Sequence, residues 1–147
     1  MTLRNVAGNE VGEDSGDLRL WLEGLEGCPP ITATTLARCE NPVHGEDPPT
    51  WFYVEADASE GIARRRCLAC GGVKHVLDSE ARWNHPPMCS CGNCGQSMFE
   101  LGAGFHVVDG EVDWLALGVR CVGCGTLNGV TDMNTEGMSL DEASAAI

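Results

Sequence analysis

The sequence predicts a small all-β protein made of two tandem copies of one three-stranded antiparallel unit. Extra strands precede the first copy, and a short helix follows the second. Three observations predict it. First, residues 66–78 (RCLACGGVKHVLD) and 120–132 (RCVGCGTLNGVTD) agree at Arg66/Arg120, Cys67/Cys121, Cys70/Cys124, Gly71/Gly125, Val76/Val130 and Asp78/Asp132, at a constant offset of 54. An ungapped internal period of this size points to a duplicated supersecondary unit. Second, a hairpin pattern stands upstream of each matched segment. Third, the 147 residues are 43% hydrophobic but only 5% aromatic, so the core must be built largely from small aliphatics. A unit below roughly 60 residues buries too little surface to fold comfortably without an added cross-link.

The elements follow in chain order. Residues 1–17 are polar, acidic and glycine-containing, which predicts an unstructured tail. Residues 18–25 (LRLWLEGL) alternate Leu18, Leu20 and Leu22, which predicts a strand. Cys28-Pro29-Pro30 reads as a turn, and the β-branched stretch 31–38 (ITATTLAR) as a second strand, the pair packing on the first copy. The first copy closes a unit spanning 18–78, with a hairpin of 51–57 and 62–66 about a turn at 58–61, and a third strand at 73–77. Residues 79–87 link it to the second unit, 88–132. There the strands are 104–108 and 112–120 about Asp109-Gly110, a strong hairpin signal, then 126–131. With so short a link, the copies are expected to share a core. The tail, 133–147, contains Ser139-Leu-Asp-Glu142, a capping-box pattern for a short helix.

The cysteines carry the chemistry. Cys91-Gly-Asn-Cys94 and Cys121-Val-Gly-Cys124 are C-x-x-C pairs, each followed by glycine, with 26 residues between them. Two intervening residues let both sulfurs face one ion across a tight turn, and the following glycine can take the positive φ such a turn needs. Four thiolates satisfy a tetrahedral zinc ion. In the first copy Cys67-Leu-Ala-Cys70-Gly71 is one complete pair, and its partner is the degenerate Cys39-Glu-Asn-Pro-Val-His44. The expected ligand sets are therefore Cys39, His44, Cys67 and Cys70 for one ion, and Cys91, Cys94, Cys121 and Cys124 for another. Cys89 competes with Cys91, since it lies five residues before Cys94 as Cys39 lies five before His44; Cys91 is preferred because it completes the glycine-following turn. Cys28 has no nearby partner and reads as a small packing residue.

Over residues 39–132 these pairs, their glycines and the intervening hairpins resemble the broad zinc-ribbon class, with the first site departing from the usual close pair. The resemblance implies two tandem zinc ribbons, each a pair of knuckles held by a three-stranded antiparallel sheet. Two structural zinc ions are the expected cofactors. Iron, in a rubredoxin-like electron carrier, is the alternative, although neither knuckle has the proline usual in rubredoxins.

Composition bounds the partners. Acids outnumber bases 22 to 9, for a formal charge of −13. Three thiolates on a divalent ion leave one further negative charge and four leave two, which takes the holo-protein to about −16. Phosphate backbones are held by clustered lysine and arginine, and Lys74 is the single lysine. Nucleic acid is thus disfavoured, and the expected partner is another protein with a basic or mixed surface. Arg64, Arg65 and Arg66 form one basic cluster, read as flanking a strand and pairing with acids, or more weakly as a nucleic-acid contact. Trp21, Trp51, Trp83 and Trp114 are expected in packing, and His75, His85 and His106 form no ligand pair. No apolar run approaches the roughly 20 residues of a membrane span. The N-terminus is no secretory signal, so a cytoplasmic protein is expected, where cysteines serve metals more often than disulfides. No H-x-E motif accompanies a cysteine pair, so zinc-deaminase chemistry is not indicated. A non-enzymatic adaptor or regulatory module is the expected role.

Overall fold

A computed structural model describes residues 3–147. In chain order it contains β1 (Arg4–Val6), β2 (Asn9–Val11), α1 (Ser15–Glu23), β3 (Ala33–Leu36), β4 (Phe52–Asp57), β5 (Ile62–Cys67), β6 (Val73–His75), β7 (Phe99–Val108), β8 (Glu111–Cys121), β9 (Leu127–Ser139) and α2 (Leu140–Ala145). Short 3-10 turns occupy Pro42–His44 and Ser79–Arg82. The protein is mostly β, with antiparallel pairing throughout.

Both repeat hairpins form about their expected turns, although β7 begins at Phe99, ahead of the expected start at Gly104, and β9 runs to Ser139, into the stretch expected as a tail. β4 pairs β5 from Phe52↔Cys67 to Asp57↔Ile62, and β7 pairs β8 from Phe99↔Cys121 to Val108↔Glu111. Asp109 and Gly110 both take positive φ, 52° and 79°. That conformation matches the right-handed twist of the strands they join. The third strand of the second copy is longer than its counterpart: β9 runs 13 residues, against 3 in β6.

The two copies do not form separate three-stranded sheets. One seven-stranded sheet has the order β6-β5-β4-β7-β8-β9, with β3 added beside β7. The join is the cross-strand pair Phe52↔Phe99, and the strand order reads symmetrically outward from it. Far strands also meet, because the Thr131 hydroxyl on β9 donates to the carbonyl of Ala58 at the β4–β5 turn. The sheet therefore curls, and one face closes over a buried cluster that includes Phe52, Val54, Leu101, Phe105, Leu115, Leu117, Met133 and Ile147.

The N-terminal expectations require correction. Residues 4–11 form the β1–β2 hairpin within the stretch expected to be unstructured. Residues expected as a strand from Leu18 belong to α1. Leu18 and Leu22, four apart, are both fully buried, a helical spacing that competes with the alternation of Leu18, Leu20 and Leu22. The cap decides between them. The Asp14 carboxylate accepts from the Asp17 amide at 3.0 Å, and the Asp17 carboxylate accepts from the Glu13 amide at 2.7 Å. The strand expected at 31–38 does form as β3, but it pairs with β7 of the second copy.

α1 packs on the opposite face of the sheet from the main core. That face is floored by residues without bulk. A Cβ on Gly118 would lie 2.7 Å from Trp21 Cζ3, and one on Gly102 would lie 3.0 Å from Leu22 Cδ1. At the other terminus, the Ser139 hydroxyl accepts from the Glu142 amide at 3.1 Å and caps α2 as its sequence predicts. No helix among the described residues is long and apolar enough to cross a membrane.

The close helix-on-sheet contact predicts that Gly118→Ala destabilises the fold by about 1–3 kcal/mol, because the added methyl overpacks against Trp21. Thermal unfolding checks this, and adding Trp21→Ala should recover part of the loss.

Candidate metal centres

Three C-x-x-C-G turns fold alike, and hydrogen bonds explain why. In each, the first cysteine's carbonyl accepts from the glycine four residues on: Cys67 from Gly71 at 2.9 Å, Cys91 from Gly95 at 2.8 Å, Cys121 from Gly125 at 2.8 Å. The same cysteine's amide donates five residues on, to Gly72, Gln96 and Thr126, at 2.7–2.9 Å. The glycines have φ of 74°, 80° and 81°, the left-handed region in which a side chain is strained. These turns point both sulfurs of a pair toward one place.

Two groups result. Cys39, His44, Cys67 and Cys70 bring one ligand atom each to within 4.8 Å of one another, and so do Cys91, Cys94, Cys121 and Cys124. Both groups can hold a metal ion. A Zn–S bond near 2.3 Å places the sulfurs of a tetrahedral site about 3.8 Å apart. The measured separations are 3.7 Å for Cys39–Cys70, 3.6 Å for Cys91–Cys124 and 3.5 Å for Cys94–Cys121. His44 Nε2 lies 3.8 Å from Cys67 Sγ. All nine cysteines are free thiols, and these gaps are far above the roughly 2.0 Å of a disulfide.

The degenerate pair works because its loop replaces a C-x-x-C turn with a 3-10 turn. The Asn41 carboxamide oxygen accepts from the Val43 amide at 3.1 Å, starting the turn at Pro42–His44. Gly45 then follows with φ 66°, as a glycine follows each cysteine pair. Asn41 also directs its amide at Cys70 Sγ (3.6 Å), and Asn93 does the same at Cys124 Sγ (3.9 Å). Sequence reasoning missed both asparagines. The available signal was their shared position, two residues after Cys39 and after Cys91. Thr126 is a third omission: its hydroxyl is 3.0 Å from Cys124 Sγ.

Cys89 lies apart from the second group. Its amide donates to Val54 O at 2.7 Å, and Ala37, likewise two residues before a first ligand, donates to Leu101 O at 2.8 Å. Cys89 thus occupies the position of Ala37. Burial, and then the Glu55 carboxylate, push its thiol upward. Cys28 is half-buried at the end of the α1 loop, with its sulfur 3.9 Å from Leu25 O.

Those two hydrogen bonds reveal an exchange. β3, which leads into Cys39 of the first copy, runs along β7 of the second. Met88, just before Cys89 and Cys91 of the second copy, bridges Glu55 on β4 of the first. Each copy therefore braces the segment that carries the other's leading ligand. Cys67, Phe52, Phe99 and Cys121 follow one another across the sheet, which sets the backbones of Cys67 and Cys121 about three strand spacings, roughly 14 Å, apart.

Charge is unevenly shared within each group. The Gly72 amide, against burial, holds Cys70 at about 6, helped by His44. Burial opposes ionisation of Cys124, but hydrogen bonds from Thr126 bring it down to about 6. Burial pushes Cys121 up to about 12 and raises Cys39 as well. A metal-free group thus keeps some of its protons, since adjacent anions cannot all form without a cation to balance them. Beside the first group lies Arg65, 2% exposed, donating to Ile147 O and Arg38 O, both at 2.9 Å, with its guanidinium 4.6 Å from the Phe52 ring. Burial lowers its pKa, and negative charge on Glu40, Cys39 and Cys67 acts in the opposite direction.

The other two arginines of the cluster are also engaged. Arg64 makes a forked pair with Glu55 at 2.8 and 3.1 Å and lies over Trp83, while Arg66 reaches Gly71 O at 3.5 Å. In the second copy Arg120, the repeat partner of Arg66, pairs with Glu100 at 2.6 Å and donates to Gly12 O and Glu13 O. No family model matches the chain, and no curated protein or solved structure matches it.

The turns differ in one testable respect. A Cβ on Gly125 would meet Gly12 O at 2.4 Å, whereas Gly71 and Gly95 have nothing within 4 Å. Gly71→Ala and Gly95→Ala should cost about 1–2 kcal/mol each, for the positive φ alone. Gly125→Ala should cost distinctly more in denaturant unfolding and should release the β1–β2 segment, visible as faster amide exchange at Gly12.

Metal retention should depend steeply on pH. Cys94 and Cys121 are both held above the ordinary thiol value. Both are therefore protonated at neutral pH in the metal-free state, and binding must expel both protons. Acidification favours the protonated, metal-free side, so affinity at the second site should fall at least about 100-fold per pH unit below pH 8. Competition with a chromophoric chelator across that range measures the slope.

Proposed function

We propose that this protein is a non-enzymatic interaction module whose fold is held by two structural zinc ions, one in each of two ribbon-type units fused through a common sheet. One observation carries the reading: each group supplies four converging protein ligand atoms at the spacing of a zinc tetrahedron. A catalytic zinc site keeps one position open for water or substrate. Here both sets reach four with side chains alone, which supports a structural role.

Energetics support it too. Half of each ligand set is anchored in the core, since Cys39, Cys67, Cys91 and Cys121 are 0–5% exposed and belong to the same buried cluster as Phe52 and Phe99, while His44, Cys70 and Cys124 are half-buried and Cys94 is exposed. Binding free energy of about 10 kcal/mol or more for a structural zinc is folding free energy. Because each copy braces the other's leading ligand, loss of one ion should weaken the second site. The formal charge of −13, made more negative by thiolate–metal groups, favours a protein partner with a basic or mixed surface.

Elemental analysis of protein purified without added metal should return two zinc ions and no iron per chain. Iron, with a visible absorption that bleaches on reduction, would make the protein an electron carrier and overturn this reading. Cys121→Ser should lose the second ion and lower the affinity of the first site about tenfold or more, the size of a modest coupling free energy. A folded, metal-free Cys121→Ser protein would refute the structural role.

A further inference from the structure

Away from the metal centres, the α1 face of the sheet carries a cleft of about 400 Å³ between the end of α1 and strands β8 and β9. Its floor follows from the strand register. Trp114, Ala116 and Gly118 alternate onto one face of β8, and Trp21 covers Gly118. The two indoles therefore bracket Ala116, with each flanking position about 7 Å away along the strand. Asp132 on β9 is the direct cross-strand neighbour of Ala116, which places its side chain on the same face. Ala58, at the β4–β5 turn, closes one end.

The charge of the cleft has one sign. Glu26 and Asp132 line it, both are exposed, and no basic residue does so. α1 ends beside it at Gly24, with no basic residue in its last turn. The negative end of the helix dipole is thus left uncompensated near the two carboxylates. By contrast, Glu55, Glu100 and Glu40 elsewhere in the fold pair with Arg64, Arg120 and Lys74. Indole faces and carboxylates together attract a cation, and a planar guanidinium suits stacking on an aromatic face better than an ammonium does.

We propose that this cleft is a docking site for an arginine side chain on a basic segment of a partner protein, with the guanidinium stacked on the Trp114 indole and paired to Asp132. The proposal rests on the reading of the protein as an interaction module and names the surface and the chemistry of the partner. Nothing in the metal groups takes part in it.

The test uses the full chain with its metal content measured first, and fluorescently labelled hexa-arginine and hexa-lysine peptides followed by anisotropy at about 0.15 M salt. Hexa-arginine should bind at least about fivefold tighter than hexa-lysine. Asp132→Asn and Trp114→Ala should each weaken hexa-arginine binding about fivefold or more. Asp47→Asn removes the same charge from an exposed loop outside the cleft and should change binding less than about twofold. Equal losses in Asp132→Asn and Asp47→Asn would show attraction to the whole acidic surface and overturn the site. Equal affinity for the two peptides would overturn guanidinium stacking. No binding by a chain that holds two zinc ions would overturn this proposal alone, whereas a chain without metal would overturn the reading beneath it.

Discussion

Each half of this protein borrows a strand edge from the other. The segment leading to Cys39 lies on β7, and the segment leading to Cys91 lies on β4. Two equivalent main-chain hydrogen bonds, Ala37 to Leu101 at 2.8 Å and Cys89 to Val54 at 2.7 Å, mark the two halves of that exchange. A backbone amide buried without a partner is costly. The leading ligand of one centre is therefore placed correctly only when the other copy's hairpin is formed. The single join at Phe52↔Phe99, the shared core and the symmetric strand order all follow from this arrangement.

The constraint also explains the chemistry of the two sulfur groups. Knuckle turns set the geometry within a pair, through the glycine amide and the positive φ that follows. The sheet sets the geometry between pairs. The first cysteine of each trailing pair ends a strand beside Phe52 or Phe99 and is buried there, and at Cys121 that burial opposes ionisation. The second cysteine sits at the turn, where amide and hydroxyl donors favour the thiolate, as at Cys70 and Cys124. Asn41 and Asn93 add a donor from the opposite turn. A cation at the centre would remove the conflict between these environments.

The N-terminal elements are fastened to the second copy. Arg120 holds Gly12 and Glu13, Val11 bridges Thr126, and Trp21 and Leu22 fill the space above Gly118 and Gly102. Gly102 and Gly118 leave room for α1, and Gly104 leaves room for Ile31. The acidic cleft lined by Trp21 and Trp114 lies beside the end of α1.

What the sequence by itself determined is local. The C-x-x-C-G turns, the Asp109-Gly110 hairpin, the cap at Ser139 and the duplicated segment each express a preference over a few residues, and each stands as read. Cys91, not Cys89, stands in the four-cysteine group, and only Cys91 begins a glycine-following turn. The Asp14 and Asp17 caps were present but overlooked, and with them the helix over Ser15–Glu23. Only the tertiary structure decided the rest. Which edge β3 pairs with is a contact across about 70 residues, Ala33 to Phe105, that no local pattern encodes. Joining two three-stranded units into one sheet depends on the Phe52↔Phe99 pair together with the strand exchange around it, and the fate of Arg65 depends on its contact with Ile147, 82 residues away. Backbone preference acts within a turn or a strand, whereas strand exchange is chosen by the burial and pairing that the whole chain achieves at once.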